Sequence, residues 1–413
     1  MSIFSMISCR VCRDKELRPF LNLGPQPVAN GFLKKERTNE PEIFYPLEVY
    51  FCTKCHFVQL GYVVDPEALF RNYIYFSSNS ESAQLHYSEF AKDVAERVLN
   101  KKGFVVEIAS NDGILLKNFK AYNGISALGI EPAENVAAVA KQQGVDTWVD
   151  FFCERTAKEV YSKYGRANVI LGANVFAHIP DLEDMARGLD VLLADDGVAI
   201  FESPYLVNLL DNLEFDTIYH EHCSYISIIP LDYFFNRFEM EIYDVKRTPI
   251  HGGSLRFYIK RESDNSHSVR SGVGKLKKLE ADFGLGKLET YENFSKRVLA
   301  SKNELILLLS DLKSKGKKII GYGAAAKGNV LLNYVGIGPE ILDFIADKSS
   351  YKHGYYTPGK RIPIVPTNKI MESGSDYMLI LAWNFADEIM TQQAAFKKKG
   401  GKFIIPIPHV KIV

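Results

Sequence analysis

From Phe104 onward, short apolar runs alternate with stretches in which apolar residues recur every three or four positions. Phe104-Val-Val-Glu-Ile108, Ala127-Leu-Gly-Ile130, Asn168-Val-Ile-Leu171 and Val198-Ala-Ile-Phe-Glu202 read as buried strands, and the segments between them as helices. Strands that alternate with helices are joined by crossovers, so the pattern predicts a mainly parallel, doubly wound sheet covered on both faces. Two further strands near 239–245 and 255–260 extend it toward seven. A helical pattern at about 84–101 precedes this unit, after the polar, Ser-rich crossing Tyr73-Ile-Tyr-Phe-Ser-Ser-Asn-Ser-Glu81.

Elsewhere the pattern changes. The opening stretch is rich in Pro, Gly and aromatics, with strand-like runs at 45–51 and 57–62, which predicts a small all-β knuckle. Residues 262–317 are charged, carry a helical period and end in Lys313-Ser-Lys-Gly-Lys-Lys318, as a helical connector does. A second, smaller α/β unit opens at Ile319 and places strands near 341–345, 377–381 and 403–405. The expected partition is 1–72, 73–262, 263–317 and 318–413.

A chain of 413 residues is long enough for two or three domains with cores of their own. Fifty Lys+Arg balance fifty Asp+Glu, so there is no overall field to hold a polyanion, and neither a nucleic acid nor an anionic membrane is an expected partner. No uncharged apolar stretch approaches the ~18 residues of a membrane span. The N-terminus lacks the basic start and long apolar run of an export signal, which makes the cytoplasm the expected location; a monomer is the first expectation for oligomeric state, which no sequence feature fixes.

Four of the six cysteines form two pairs, Cys9-x-x-Cys12 and Cys52-x-x-Cys55. Two such turns complete a tetrahedral zinc site, and four thiolates close it, so the metal is expected to be structural. Cys153 and Cys223 stand alone and read as packing residues. After the first strand, Glu107 leads into Ala109-Ser-Asn-Asp-Gly113, a turn that lets backbone approach a ligand at the carboxyl edge of the sheet. Glu131, ending the second strand, is placed to take the two hydroxyls of a ribose; a solvated turn is the alternative reading.

The densest polar cluster is Tyr219-His-Glu-His-Cys-Ser-Tyr225, beyond the exit Glu202-Ser-Pro204. Histidine titrates near neutral pH and can move a proton from a carbon acid, with a carboxylate fixing its tautomer. His178 follows the fourth strand and belongs to the same edge by topology. In the last unit Gly321-x-Gly323-x-x-Ala326 precedes a helix, with Asp343 and Asp347 at the distance of a ribose-binding acid and Lys327 placed for a phosphate. Glycines that only permit close helix packing read equally well there. His251-Gly-Gly-Ser-Leu-Arg256 is a diphosphate clamp or a plain hairpin.

Taken in order, these segments resemble the zinc-containing, S-adenosylmethionine-dependent sugar C-methyltransferases that act on nucleotide-linked 4-keto-deoxysugars. The resemblance spans nearly the whole chain and rests on the cysteine pairs flanking Leu23-Gly-Pro-Gln-Pro-Val-Ala-Asn-Gly-Phe32, on Glu107-Ile-Ala-Ser-Asn-Asp-Gly-Ile-Leu115, on 174–180, on Tyr219-His-Glu-His222, on 251–256 and on Gly323-Ala-Ala-Ala-Lys-Gly-Asn329. It implies a small zinc-binding N-terminal domain, a central class I methyltransferase sheet and a C-terminal Rossmann-like α/β domain that holds the sugar nucleotide. It implies methylation at C3 of a 4-keto-6-deoxyhexose, in the biosynthesis of branched deoxysugars.

By the same carry-over His222 is the general base, Tyr219 and Glu221 its partners, and His178 and Tyr75 further catalytic groups. Glu107, Ala109, Asn111, Asp112, Gly113, Glu131, Pro132 and Asn174 become cofactor residues. Ser203, His251, Arg256, Lys327, Asn329 and Asp347 become substrate residues. Ala325 departs from the family, which often has proline there. The competing readings are an NAD-dependent nucleotide-sugar oxidoreductase or epimerase, a zinc-containing nucleic-acid-binding protein, and a catalytically silent nucleotide-sugar-binding module.

Overall fold

The computed structural model describes residues 7–71, 73, 76–79 and 81–413. Its central sheet has seven strands in the order Met240–Thr248, Ser254–Arg261, Leu193–Pro204, Ala167–Ala173, Lys102–Ile108, Gly124–Ile130, Thr147–Trp148. The last five are parallel, and the first two add antiparallel. Side chains alternate across it, as strand geometry demands. Val105, Val169, Leu171, Val198 and Ile200 meet Phe90, Val94, Leu116 and Phe119 on one face. Val106, Ile108, Ile170 and Phe201 share the opposite core with Ala157, Val160, Ala186 and Leu189. Covering both faces is what makes the strands read as unbroken apolar runs.

The helices follow equally local rules. Leu182–Leu192 buries Leu182, Met185, Ala186, Leu189 and Leu192, one apolar stripe at helical spacing. The Asp181 carboxylate accepts from the Glu183 and Asp184 amides and caps its start. The connector is two helices, Ser271–Phe283 and Leu288–Ser314, divided where Gly284 takes a left-handed φ of 90°.

The N-terminal sheet pairs Leu17–Gln26 with Tyr45–Cys52 and Tyr45–Cys52 with Val58–Leu60, and Ser224–Tyr225 from the central unit completes it. The strand Leu17–Gln26 escaped the sequence pattern because Pro19, Gly24 and Pro25 look like turn residues. It is an edge strand with register shifts between Pro19 and Leu21 and between Asn22 and Pro25, where proline is tolerated. The C-terminal sheet runs Ile364–Pro366, Leu342–Asp347, Ile319–Tyr322, Tyr377–Ile380, Lys402–Ile405, Lys411–Ile412, parallel except for its last pair. The C-terminal unit also pairs with the N-terminal one, Tyr355–Tyr356 with Leu33–Lys34, in a separate two-stranded ladder. The three units therefore close on one another. Among the described residues no helix is long and apolar enough to cross a membrane.

Glu280 shows how the connector holds the central unit. From Ser271–Phe283 its buried carboxylate accepts from the Ile228 and Ile229 amides at 2.6 and 3.0 Å and from the Tyr205 hydroxyl at 3.0 Å. It thus caps the helix Ile228–Asn236 from another helix. Replacing it strands two buried amides, each costing about 1–3 kcal/mol. Glu280→Ala is expected to lower the urea unfolding midpoint clearly while leaving bound zinc unchanged; an unaltered midpoint contradicts this role.

Candidate active site

The sulfurs of Cys9, Cys12, Cys52 and Cys55 lie within 4.8 Å of one another, with Cys9 to Cys55 and Cys12 to Cys52 both at 3.5 Å. A disulfide needs about 2.05 Å. Thiolates at ~2.3 Å from a tetrahedral zinc stand roughly 3.8 Å apart, which these spacings match. The donor set fits a closed, structural zinc ion. His56 stacks on Phe51 and is not part of the cluster.

A cavity of about 1150 Å³ opens along the carboxyl edge of the central sheet and reaches the C-terminal unit. In its first half, the turn after Lys102–Ile108 puts Ala109, Asn111 and Gly113 at φ of 52°, 49° and 78°. Left-handed backbone outside glycine is uncommon, and here it brings Ala109 and Asn111 to the cavity wall. Gly113 is needed for packing: a Cβ there would fall 2.8 Å from Val145. Glu131 and Pro132 line the wall at the end of the next strand. The Glu131 carboxylate accepts from the Asn111 and Ala133 amides, both at 2.9 Å, yet burial still raises its pKa to about 7.

Asn174, at φ 56°, lines the same half and donates to the Tyr87 hydroxyl at 3.2 Å. Glu107 and Asp112 sit behind the turn, where Asp112 accepts from the Ser78 amide at 3.1 Å. Burial, with the charges of Glu131 and Asp112, pushes Glu107 well above the usual carboxylate range. Among the described residues, Glu107 Oε2, Asp112 Oδ1 and Asn174 Oδ1 are buried acceptors with no donor. Glu107 and Asp112 do not reach the cavity wall, but Asn174 Oδ1 and the Glu131 carboxylate belong to residues that do, and acceptors of this kind fit a ligand that brings hydroxyls and an ammonium, as S-adenosylmethionine does.

The other half gathers Tyr219, His222, His178, His251 and Lys327. His222 Nδ1 donates to the Thr217 carbonyl at 2.7 Å, so Nε2 keeps its lone pair. Its ring lies 4.0 Å from Tyr219 and 5.0 Å from His178, centroid to centroid. Burial lowers the His222 pKa to about 4, the Thr217 bond opposing and the Lys327 charge reinforcing the effect. His251 is likewise lowered to about 4, first by burial, and burial holds His178 well below its ordinary value.

Several expectations are corrected by this geometry. The group that fixes the His222 tautomer is a carbonyl, not Glu221. Glu221 accepts instead from Asn30 Nδ2 at 2.7 Å and from the Tyr73 hydroxyl at 2.9 Å. Arg256 lines the cavity but gives two hydrogen bonds to Glu202, at 3.0 and 2.9 Å, and lies over the Phe90 ring, so its charge is committed rather than free to clamp a diphosphate. Ser203, Asn329 and Asp347 do not reach the wall. Ser203 is buried in its strand; Asn329 donates to the Ala29 carbonyl; Asp347 accepts from the Ala324 and Ser349 amides and shapes the glycine turn. Lys327 Nζ donates to Asn384 Oδ1 at 2.7 Å beside the Trp383 ring. Tyr75 lies outside the described residues. Cys153 reaches the cavity wall, whereas Cys223 is buried.

Sequence reasoning missed Thr217, His86 and Asn30. His86 Nε2 meets Glu202 Oε1 at 2.5 Å and lines the cavity from the helix Glu81–Asp93, where a single histidine gives no pattern to read. Asn30 did leave a trace in the turn-rich Pro27-Val-Ala-Asn-Gly31.

A zinc knuckle, a methyltransferase-type sheet and a smaller α/β domain around one cavity define a three-part, S-adenosylmethionine-dependent methyltransferase. Comparison with known proteins agrees. Residues 9–70 match the model of a zinc binding domain, 83–243 that of a methyltransferase domain, and 249–408 that of a C-methyltransferase C-terminal domain. The C-methyltransferase NovU of Streptomyces niveus is 35% identical over 406 residues, covering 98% of this chain and 96% of its own. The chain belongs to the zinc-containing, S-adenosylmethionine-dependent C-methyltransferases. Solved structures are similar over less than half of the chain. A magnesium protoporphyrin IX methyltransferase from Synechocystis PCC 6803 with bound SAH matches 43% of this chain and 83% of its own at 15% identity and a TM-score of 0.34. An S-adenosylmethionine-dependent methyltransferase from Clostridium acetobutylicum matches 42% and 92%, at 13% identity and a TM-score of 0.33.

Two measurements check the site. Metal analysis is expected to find a single zinc ion per chain, lost in Cys55→Ser together with much of the thermal stability; full stability without metal contradicts a structural ion. Protonating His222 adds charge to a buried ring near an ammonium, so the imidazole is expected to stay neutral as pH falls through 6.5 and to titrate near 4. A proton NMR titration of its ring reads this directly, and a midpoint at the ordinary value rules it out.

Proposed function

We propose that this C-methyltransferase removes a hydrogen from C3 of a nucleotide-linked 4-keto-6-deoxyhexose and places the methyl group on that carbon. What carries the reading is the neutral His222 imidazole, anchored at Nδ1 and open at Nε2, in a cavity whose other half suits the methyl donor. When bound, S-adenosylmethionine supplies an electrophilic sulfonium methyl.

The chain's residues then do the following. His222 Nε2 takes the C3 proton, the electron pair of the C–H bond becomes the C3–C4 double bond, and the π pair of the C4 ketone moves onto its oxygen to give the enolate, whose C3 is then the nucleophile. A positioned base is worth roughly 10²- to 10⁴-fold. The Tyr219 hydroxyl, beside that ring, donates to the enolate oxygen, an effect of about 3 kcal/mol for a well-aimed donor. His178 closes the wall against the imidazole and excludes water. Glu131 and the 109–113 turn hold the ribose and the amino-acid tail of the methyl donor, and Pro132 backs its base. Lys327 and Lys352, with the start of the helix Ala326–Val335, face the diphosphate; burial lowers both lysines, opposed by Asp216 and Glu214 at Lys327 and by Asp347 at Lys352. His251 lines the sugar. Holding both reactants at near-attack distance supplies much of the remaining rate.

An NAD-dependent oxidoreductase or epimerase is not favoured, because the full-length similarity is to a C-methyltransferase. The test is incubation with S-adenosylmethionine and a panel of nucleotide-linked 4-keto-6-deoxysugars, read by mass and carbon NMR. A new methyl on carbon is expected. His222→Asn is expected to abolish transfer and to slow exchange of the C3 hydrogen with heavy water while leaving affinity for the methyl donor near normal. Methylation on oxygen, or undiminished turnover by the variant, overturns the reading.

A further inference from the structure

The segment 27–32 joins all three units yet has no part in the reaction as described so far. Asn30 sits in a tight turn, with the Gly31 amide donating to the Val28 carbonyl and the Phe32 amide to the Asn30 carbonyl, both at 2.9 Å. Its neighbour Ala29 offers its carbonyl to the buried Asn329 of the C-terminal unit at 2.7 Å. Just beyond, Leu33–Lys34 pairs with Tyr355–Tyr356. On the other side the turn continues the strand Leu17–Gln26, whose far end aligns Leu17 with the zinc ligand Cys52. The turn is held at both ends, and between those anchors the Asn30 side chain enters the cavity.

Asn30 Nδ2 donates to Glu221 Oε1 at 2.7 Å, while the Tyr73 hydroxyl donates to Glu221 Oε2 at 2.9 Å; Glu221 itself is buried and does not reach the cavity wall. A carboxylate is a pure acceptor, so two donors of this kind fix its plane and favour its charged form. Burial acts against that form and raises the Glu221 pKa to about 7. Glu221 directly precedes His222, and the His222 amide closes a turn onto the Tyr219 carbonyl at 2.8 Å. The orientation of the carboxylate is thus built into the loop that carries Tyr219 and His222.

We propose that Asn30 is a positioning residue for C-methyl transfer, fixing the buried Glu221 carboxylate and through it the loop that brings Tyr219 and His222 to the cavity, so that the zinc-bearing unit contributes to the active site as well as to stability. The inference rests on the proposed reaction and adds a third unit to it. Asn30 acts through Glu221 and is not itself given a proton to move.

A double-mutant cycle tests it, using Asn30→Ala, Glu221→Gln and the pair in the full-length, zinc-loaded chain. Losing a hydrogen bond to a charged group is expected to slow methyl transfer about 10- to 100-fold in Asn30→Ala. Zinc content and affinity for S-adenosylmethionine are expected to stay within about twofold of wild type, since the Asn30 amide is bonded to Glu221 and to neither a cysteine nor Glu131. The diagnostic result is coupling: the double variant is no slower than Glu221→Gln alone. Asn30→Ser, which keeps a shorter donor, is expected to recover part of the rate. Wild-type turnover in the same assay bears on the reaction itself and is scored separately. With that turnover intact, rate effects that simply multiply, or an Asn30→Ala variant as fast as wild type, overturn the role of Asn30 alone.

Discussion

A buried imidazole is useful in proton transfer only if one nitrogen is spoken for and the other is open, and the bond from His222 to the Thr217 carbonyl imposes that condition. The carbonyl can only accept, so the ring has one tautomer available to it. The same short turn, Phe215–Thr217, does a second job one residue earlier. Asp216 accepts from the Trp383 indole at 2.6 Å, and Trp383 lies beside Lys327. One turn therefore ties the histidine of the central unit to the lysine of the C-terminal unit. Ring orientation and the closure of the two units are set by the same few atoms.

The cavity wall also carries more charge than an ordinary interior tolerates, and the fold compensates it in groups. Glu202 and Arg256 are directly opposite in the sheet register, so their ion pair is a product of strand pairing, and His86 and Thr248 complete the shell around the carboxylate. Glu214 and Asp216, raised by burial to about 7 and about 6, are the acids whose charge bears on buried Lys327. The left-handed Gly252 leaves room for Glu214, since a Cβ there would meet its carboxylate oxygen at 2.5 Å. The HGG motif is thus explained by what it stands against.

The central sheet was legible because strands buried on both faces leave continuous apolar runs, and the four cysteines because metal geometry demands paired turns. Leu17–Gln26 was hidden by its prolines, and the short strand Thr147–Trp148 is too brief to show a period. At the site, the sequence brings Tyr219, His222, His178, Glu131, His251 and Lys327 to one cavity. It misjudged Glu221, Arg256 and Asn329 for a shared reason. Residue type says what a side chain can do, while its partner is set by register and by contacts between units distant in sequence. Asn30 and Glu221 are 191 positions apart, and no periodicity spans that gap.

The strand Ser224–Tyr225 finishes a sheet begun at Leu17. During synthesis on the ribosome, Val58–Leu60 emerges with one side unpaired and waits for roughly 160 further residues, about ten to thirty seconds at ordinary elongation rates. Throughout that interval the nascent knuckle presents an open edge of the kind that recruits other chains. Binding its metal early, before the partner strand exists, would order the cysteine turns yet leave that edge open until Ser224–Tyr225 arrives to cover it.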